Sequence, residues 1–200
     1  MKNVLSLVVC AMFATTVFAQ FPDALKIGSS IPMSGVKMKS VSGKEVSIKD
    51  EMKKNGVLVM FSCNTCPYVV KYQSRILETI KEAAKRNIGM VIVNSNEEYR
   101  TDADSYDAMK AYGKKQGYTV PYVVDPKSAL ADAFGATRTP ECYLFDATGK
   151  LIYHGAIDDN QNAAKVGRKH LFTAIGESLS GKEVAMKETR SIGCMIKRAE

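Results

Sequence analysis

The 200-residue sequence predicts an α/β chain, a central mixed sheet with helices on both faces. Three observations carry this. Residues 56–61 and 88–93 are short, nearly unbroken apolar runs, as strands buried on both faces of a parallel sheet require. Between them Val69, Tyr72, Ile76, Ile80 and Ala83 recur at three- and four-residue steps, with Lys71, Arg75, Glu78 and Glu82 on the other side. That stripe is an amphipathic helix, and it closes a right-handed βαβ unit. Hairpin patterns at both ends of the chain then make the sheet mixed rather than purely parallel.

The elements follow in order. Residues 36–48 form a small N-terminal β-hairpin around Ser42-Gly43-Lys44. After the βαβ unit, polar Asn94-Ser95-Asn96-Glu97-Glu98 leads into a helix marked by Tyr106, Met109 and Tyr112, with Asp102 or Asp104 as its cap. Residues 120–126 form a short strand with prolines at its limits, and 128–134 a small helix. Residues 142–146 and 151–154 flank Ala147-Thr148-Gly149-Lys150 as an antiparallel hairpin. A final helix over 161–179 presents Val166, Leu171, Phe172, Ile175 and Leu179, and Gly181 stops it. No internal repeat or linker divides the chain.

Residues 1–19 read as a secretory signal: Lys2, an apolar run from Val4 to Val17 broken only by Ser6, Thr15 and Thr16, and small residues at Val17 and Ala19 before the cut. The rest, 20–200, is one domain with a C-terminal tail over 181–200. The expected location is periplasmic or secreted, without a stable membrane span after cleavage. Leu7-Val8-Val9-Cys10 is a weak lipobox, with Val9 poor before the cysteine. Cleavage after Ala19 removes Cys10 and leaves Cys63, Cys66, Cys142 and Cys194 in an oxidising compartment. A core of this size does not need disulfides merely to fold, so the cysteines are chemical before they are structural. The net charge of +7 is interleaved with acids, as in residues 78–86, and forms no basic stripe, which excludes a nucleic-acid partner.

Chemistry concentrates at Cys63-Asn64-Thr65-Cys66-Pro67, a Cys-x-x-Cys between a buried strand and an amphipathic helix. Zinc would require four ligands and normally a second such pair, which the chain lacks. Neither a metal nor another cofactor is expected. Pro67 has no N–H and belongs in the first turn, which sets the helix start near Asn64 and leaves Cys63 at its mouth. There the helix dipole stabilises a thiolate, so Cys63 is the expected nucleophile and Cys66, one turn inward, the resolving thiol.

These residues resemble thioredoxin-fold redoxins, the peroxiredoxin-like group that includes secreted bacterial proteins. The resemblance covers about residues 25–198 and rests on residues 63–69, Val93-Asn94-Ser95-Asn96, Thr139-Pro140, Leu144-Phe145-Asp146, residues 155–160 and the tail Gly193-Cys194-Met195-Ile196-Lys197. It implies a thioredoxin-like fold in which Pro140 is cis and faces the dithiol. It implies that Thr139, Pro140, Asn64 and Thr65 bind substrate. The partners it implies are a protein disulfide or dithiol and an electron donor or acceptor that the sequence does not identify. The chain has no tryptophan before Cys63 and no acid in 57–61, so the proton relay falls to Glu141 or to no residue, a strand-end glutamate being ordinarily solvent-facing.

Two other functions compete. A thiol peroxidase of the peroxiredoxin type needs a threonine three residues before its cysteine, and the positions in question hold Met60 and Cys63. A copper-binding thioredoxin-fold chaperone would add a histidine to the soft thiolates; His154 and His170 are available, each more simply a surface or half-buried residue. Cys142 reads as a buried, inert thiol. Cys194 could pair with Cys142, resolve Cys63 or stay free, and pairing with Cys142 is favoured as a structural staple worth ~3–4 kcal/mol through a loop of about 50 residues. Asp158-Asp159-Asn160 reads as a helix cap or a cation site.

Overall fold

The structure is a computed structural model describing residues 23–199. The secretory signal and Cys10 lie outside those residues. Strands β1 (Met38–Lys39) and β2 (Glu45–Val46) make the N-terminal hairpin, and α1 (Ile48–Glu51) follows, with the Ser47 hydroxyl accepting the Asp50 amide and the Asp50 carboxylate accepting the Ser47 amide. The order then runs β3 (Val57–Ser62), α2 (Pro67–Lys85), β4 (Gly89–Asn94), α3 (Tyr106–Gln116), β5 (Tyr122–Val124) and α4 (Ala129–Phe134). It ends with β6 (Arg138–Thr139), β7 (Glu141–Phe145), β8 (Leu151–Gly155), α5 (His170–Leu179) and β9 (Cys194–Met195).

The central sheet has the order β5-β4-β3-β7-β8. β3, β4 and β5 are parallel, and β7 and β8 run antiparallel to their neighbours, giving the mixed sheet of a thioredoxin-like fold. The apolar runs are continuous because alternate residues enter two cores. Leu58, Met60, Met90 and Ile92 face a core completed by Val69, Tyr72, Ile76 and Ile80 of α2, Met109 of α3 and Leu171 and Ile175 of α5. Val57, Val59, Phe61, Val91 and Val93 face the other, closed by Ile48 of α1 and Leu130, Ala131 and Phe134 of α4.

Three boundaries differ from the sequence expectation. α3 is capped by Ser105, whose hydroxyl accepts the Ala108 amide at 3.3 Å, while Asp104 turns inward. α5 begins at His170 rather than 161. The carbonyls of Asn160 and Gln161, which a helix there would need, accept hydrogen bonds from buried Arg75 of α2 at 2.7 and 2.8 Å. Residues 163–165 therefore make only a short 3-10 turn, and Val166 lies outside the helix. Likewise α2 begins at Pro67, with Cys66 as its N-cap.

The tail is a strap. It passes along the outer edge of β8, where the His154 amide donates to Lys187 O at 2.8 Å and the Thr189 amide to His154 O at 3.0 Å. Gly155, at φ +142°, has no room for a Cβ, which would sit 2.2 Å from Thr189 Oγ1. Beyond this point the chain reaches β6, and β9 pairs with it antiparallel.

Candidate dithiol site

The site lies where β3 ends and α2 begins. Pro67 occupies the first helical position, where its missing N–H costs nothing. The helix does not start near Asn64, because Asn64 is held from the other side. Its amide donates to Asp104 Oδ1 at 2.8 Å, its Nδ2 to Ala103 O at 2.9 Å, and its Oδ1 accepts the Tyr122 hydroxyl at 2.8 Å. These bonds keep residues 63–65 in a loop. Cys66, not Cys63, thus sits at the positive end of the helix. Of the residues expected to bind substrate, Asn64 is spent on this internal anchoring, and Thr65 is exposed.

The Thr139–Pro140 bond is cis, and Thr139 lies between the two thiols. Cys63 Sγ is 3.5 Å from Thr139 Oγ1, and Cys66 Sγ is 3.3 Å from Thr139 O, to which its thiol form donates. Both cysteines are buried, at 1 % and 3 % exposure. The pair titrates as a unit. The Cys63 thiol donates to Cys66 and holds it down to about 4 against the cost of burial, helped by Cys194 and by the backbone of Val69. Cys63 is pushed far up, first by that same hydrogen bond and then by burial, with the Asp104 charge adding to it.

Asp104 is the residue sequence reasoning missed. Read there as a helix cap, it is fully buried and accepts Asn94 Nδ2 at 2.7 Å and Asn96 Nδ2 at 2.9 Å besides the Asn64 amide. Asn96 Oδ1 in turn accepts the Lys197 amide of the tail at 2.9 Å. The clustered amides at 94 and 96 were the available signal, since buried amide side chains demand partners.

Glu141 is buried rather than solvent-facing. One carboxylate oxygen accepts the amides of Thr137 and Arg138, each at 2.8 Å, and the other is 2.7 Å from His154 Nε2. It therefore clamps the turn ahead of Pro140, and His154, stacked on Tyr143 at 4.3 Å, is engaged there and not with the dithiol. His170 opens α5. Met60 is a core residue of β3. Asp158 neither caps a helix nor stands open to a cation, since both its oxygens accept Arg75 Nη1 at 2.7 and 2.8 Å.

Cys142 and Cys194, like Cys63 and Cys66, are free thiols, and they sit on different strands. Cys142 is enclosed in β7, paired with Met60 and Gly155, and burial pushes its thiol far up. Cys194 instead lies across from Thr139, within hydrogen-bonding reach of Cys66.

Comparison with known proteins agrees with this geometry. The chain is 23% identical over 150 residues to the thiol-disulfide oxidoreductase ResA of Bacillus subtilis, a match covering 75% of this chain and 79% of ResA. Among solved structures, an uncharacterized conserved protein from Geobacillus kaustophilus superimposes with a TM-score of 0.80 at 29% identity, covering 90% of this chain and 94% of that one. A hypothetical protein of Sinorhizobium meliloti gives 0.79 at 27% identity, over 88% and 97%. The Redoxin family model matches residues 26–169, and the chain that carries this dithiol belongs to the Redoxin family.

Proposed function

We propose that the mature chain, residues 20–200, is an extracytoplasmic thiol–disulfide oxidoreductase working through the Cys63/Cys66 couple. The observation that carries this is the placement of two buried thiols on either side of Thr139, next to the cis-proline. The likeness to ResA supports the same reading. An extended segment of a disulfide-bearing protein is the substrate.

Cys63, in the loop ahead of the helix, attacks the substrate disulfide. The substrate thiolate that leaves takes up the Cys63 proton. Cys66, the lower of the two in pKa, then attacks Cys63 Sγ as the thiolate. The second substrate thiol is released, and a Cys63–Cys66 disulfide remains. An extracytoplasmic dithiol donor restores the reduced pair; run in reverse, the same steps oxidise a dithiol substrate. The reduction potential of the couple against a periplasmic reductant and oxidant fixes the direction.

The test is turnover of a peptide disulfide by single variants. Cys63→Ser should abolish turnover, and Cys66→Ser should accumulate a mixed disulfide on Cys63. Full activity in Cys63→Ser would sink the mechanism, and an adduct trapped on Cys66 in that variant would reverse the two roles. Cell fractionation tests the location.

A further inference from the structure

The sheet edge beside Pro140, where an extended substrate would pair, already carries a strand of this chain. β9 runs antiparallel to β6, with Met195 opposite Arg138 and Cys194 opposite Thr139. The Ile196 amide donates to Thr137 O at 3.0 Å in the same register. Directly opposed residues of an antiparallel pair project to the same face. Cys194 therefore lies on the side on which Thr139 Oγ1 approaches Cys63, and it packs into the apolar cluster that contains Cys63 and Cys66.

This close approach is built into the sequence. A Cβ on Gly193 would stand 2.1 Å from Thr139 O, so only glycine lets the tail come this near. Arg138 Nη1 donates to Gly193 O at 3.3 Å, and beyond the strand the Glu98 amide donates to Lys197 O at 3.0 Å. The segment is thus fixed on both sides of its cysteine.

We propose that Cys194 is a third redox thiol of this site: β9 holds the place of a substrate strand, and Cys194 exchanges with the Cys63–Cys66 disulfide to form a Cys66–Cys194 disulfide. The proposal rests on the oxidoreductase reading above. Cys194 loses its proton and attacks Cys66 Sγ; the Cys66–Cys194 bond forms, the Cys63–Cys66 bond breaks, and Cys63 leaves as a thiolate that takes up a proton. No electrons are gained or lost, the oxidising equivalents having come from the substrate disulfide. In the reduced site burial, then the hydrogen bond to Cys66 and the Cys66 charge, hold Cys194 up at about 11, and both contributions of Cys66 are gone once it is in a disulfide. A polypeptide substrate must then displace β9 and present its cysteine opposite Thr139, with a small residue before it as Gly193 stands before Cys194.

The experiment oxidises the full chain with glutathione disulfide, blocks free thiols with iodoacetamide, and maps the unreduced peptides. The wild type should show a Cys66–Cys194 link with the label on Cys63. In Gly193→Ala the ratio of Cys63 to Cys194 label should fall at least tenfold, with a Cys63–Cys66 link instead. Cys194→Ser should form only the Cys63–Cys66 link, which shows that the dithiol itself is sound. Wild type in which Cys63 and Cys66 are linked and Cys194 is fully labelled overturns the third thiol and leaves the oxidoreductase reading intact. Failure of Cys63 and Cys66 to oxidise in Cys194→Ser overturns that reading and this one with it.

Discussion

At the residue scale the site is governed by one shared proton. Cys66 is held at about 4 from an ordinary 9.0, while Cys63 is pushed far above it. Between these limits the reduced folded chain binds fewer protons at Cys66 than the unfolded chain does. Its stability should therefore rise as pH climbs from about 4 to about 9. Above that range the sign reverses, because Cys63 keeps its proton in the fold and loses it in the unfolded chain. Urea midpoints of the reduced protein, measured against the Cys63→Ser/Cys66→Ser double variant across pH 3–10, should show this rise and fall; parallel curves would contradict the thiolate assignment. The dithiol was legible in the sequence because a Cys-x-x-Cys between strand and helix has few other uses, and Pro140 only through the family resemblance. Asp104 was not, and the placement of Cys194 opposite Thr139 was not. The partners lie 40 or more residues away, Asn64 for Asp104 and Thr139 for Cys194, and no local pattern brings such pairs together.

At the element scale the strands of the central sheet were readable because burial on both faces removes polar residues from the run. The start of α5 was not, because its limit comes from another element. Arg75, buried in the middle of α2, takes the carbonyls of 160 and 161 and both oxygens of Asp158, and its guanidinium stacks 3.6 Å from the Tyr72 ring. Apolar periodicity extends back to Val166, yet these carbonyls are turned to the Arg75 guanidinium. The ion pair joins α2 to the segment leading into α5, and its side chains are only 9 % and 2 % exposed. Asp158→Asn leaves the guanidinium buried without its counter-charge, which should cost ~3–5 kcal/mol. Urea unfolding of the reduced protein measures this, and a loss under 1 kcal/mol would show that Asn160 and Gln161 alone suffice to hold Arg75.

At the scale of the whole molecule, the tail joins structure to chemistry. Residues 181–199 look polar and irregular in sequence, and a two-residue strand carries no periodicity from which to read it. In three dimensions the segment lines β8, with Thr189 Oγ1 2.7 Å from the Tyr153 hydroxyl, and then pairs with β6 beside the dithiol. Its two halves are separable by their anchors, since Val184 is buried before Thr189 and Ile196 after it. Removal of residues 192–200 should thus leave the fold intact while uncovering the site. The loss of Ile196 burial should cost about 1.5–3 kcal/mol, and the lost bonds of Lys197 to Asn96 and Glu98 add to this. The same truncation removes the strand beside Cys66, whose pKa the neighbouring Cys63 thiol lowers, so its alkylation by iodoacetamide should accelerate at least tenfold over wild type. A urea midpoint that falls while alkylation stays at the wild-type rate would mean that β9 stabilises the fold without guarding the thiols. An unchanged midpoint together with fast alkylation would make β9 a cover that opens at no cost to the core.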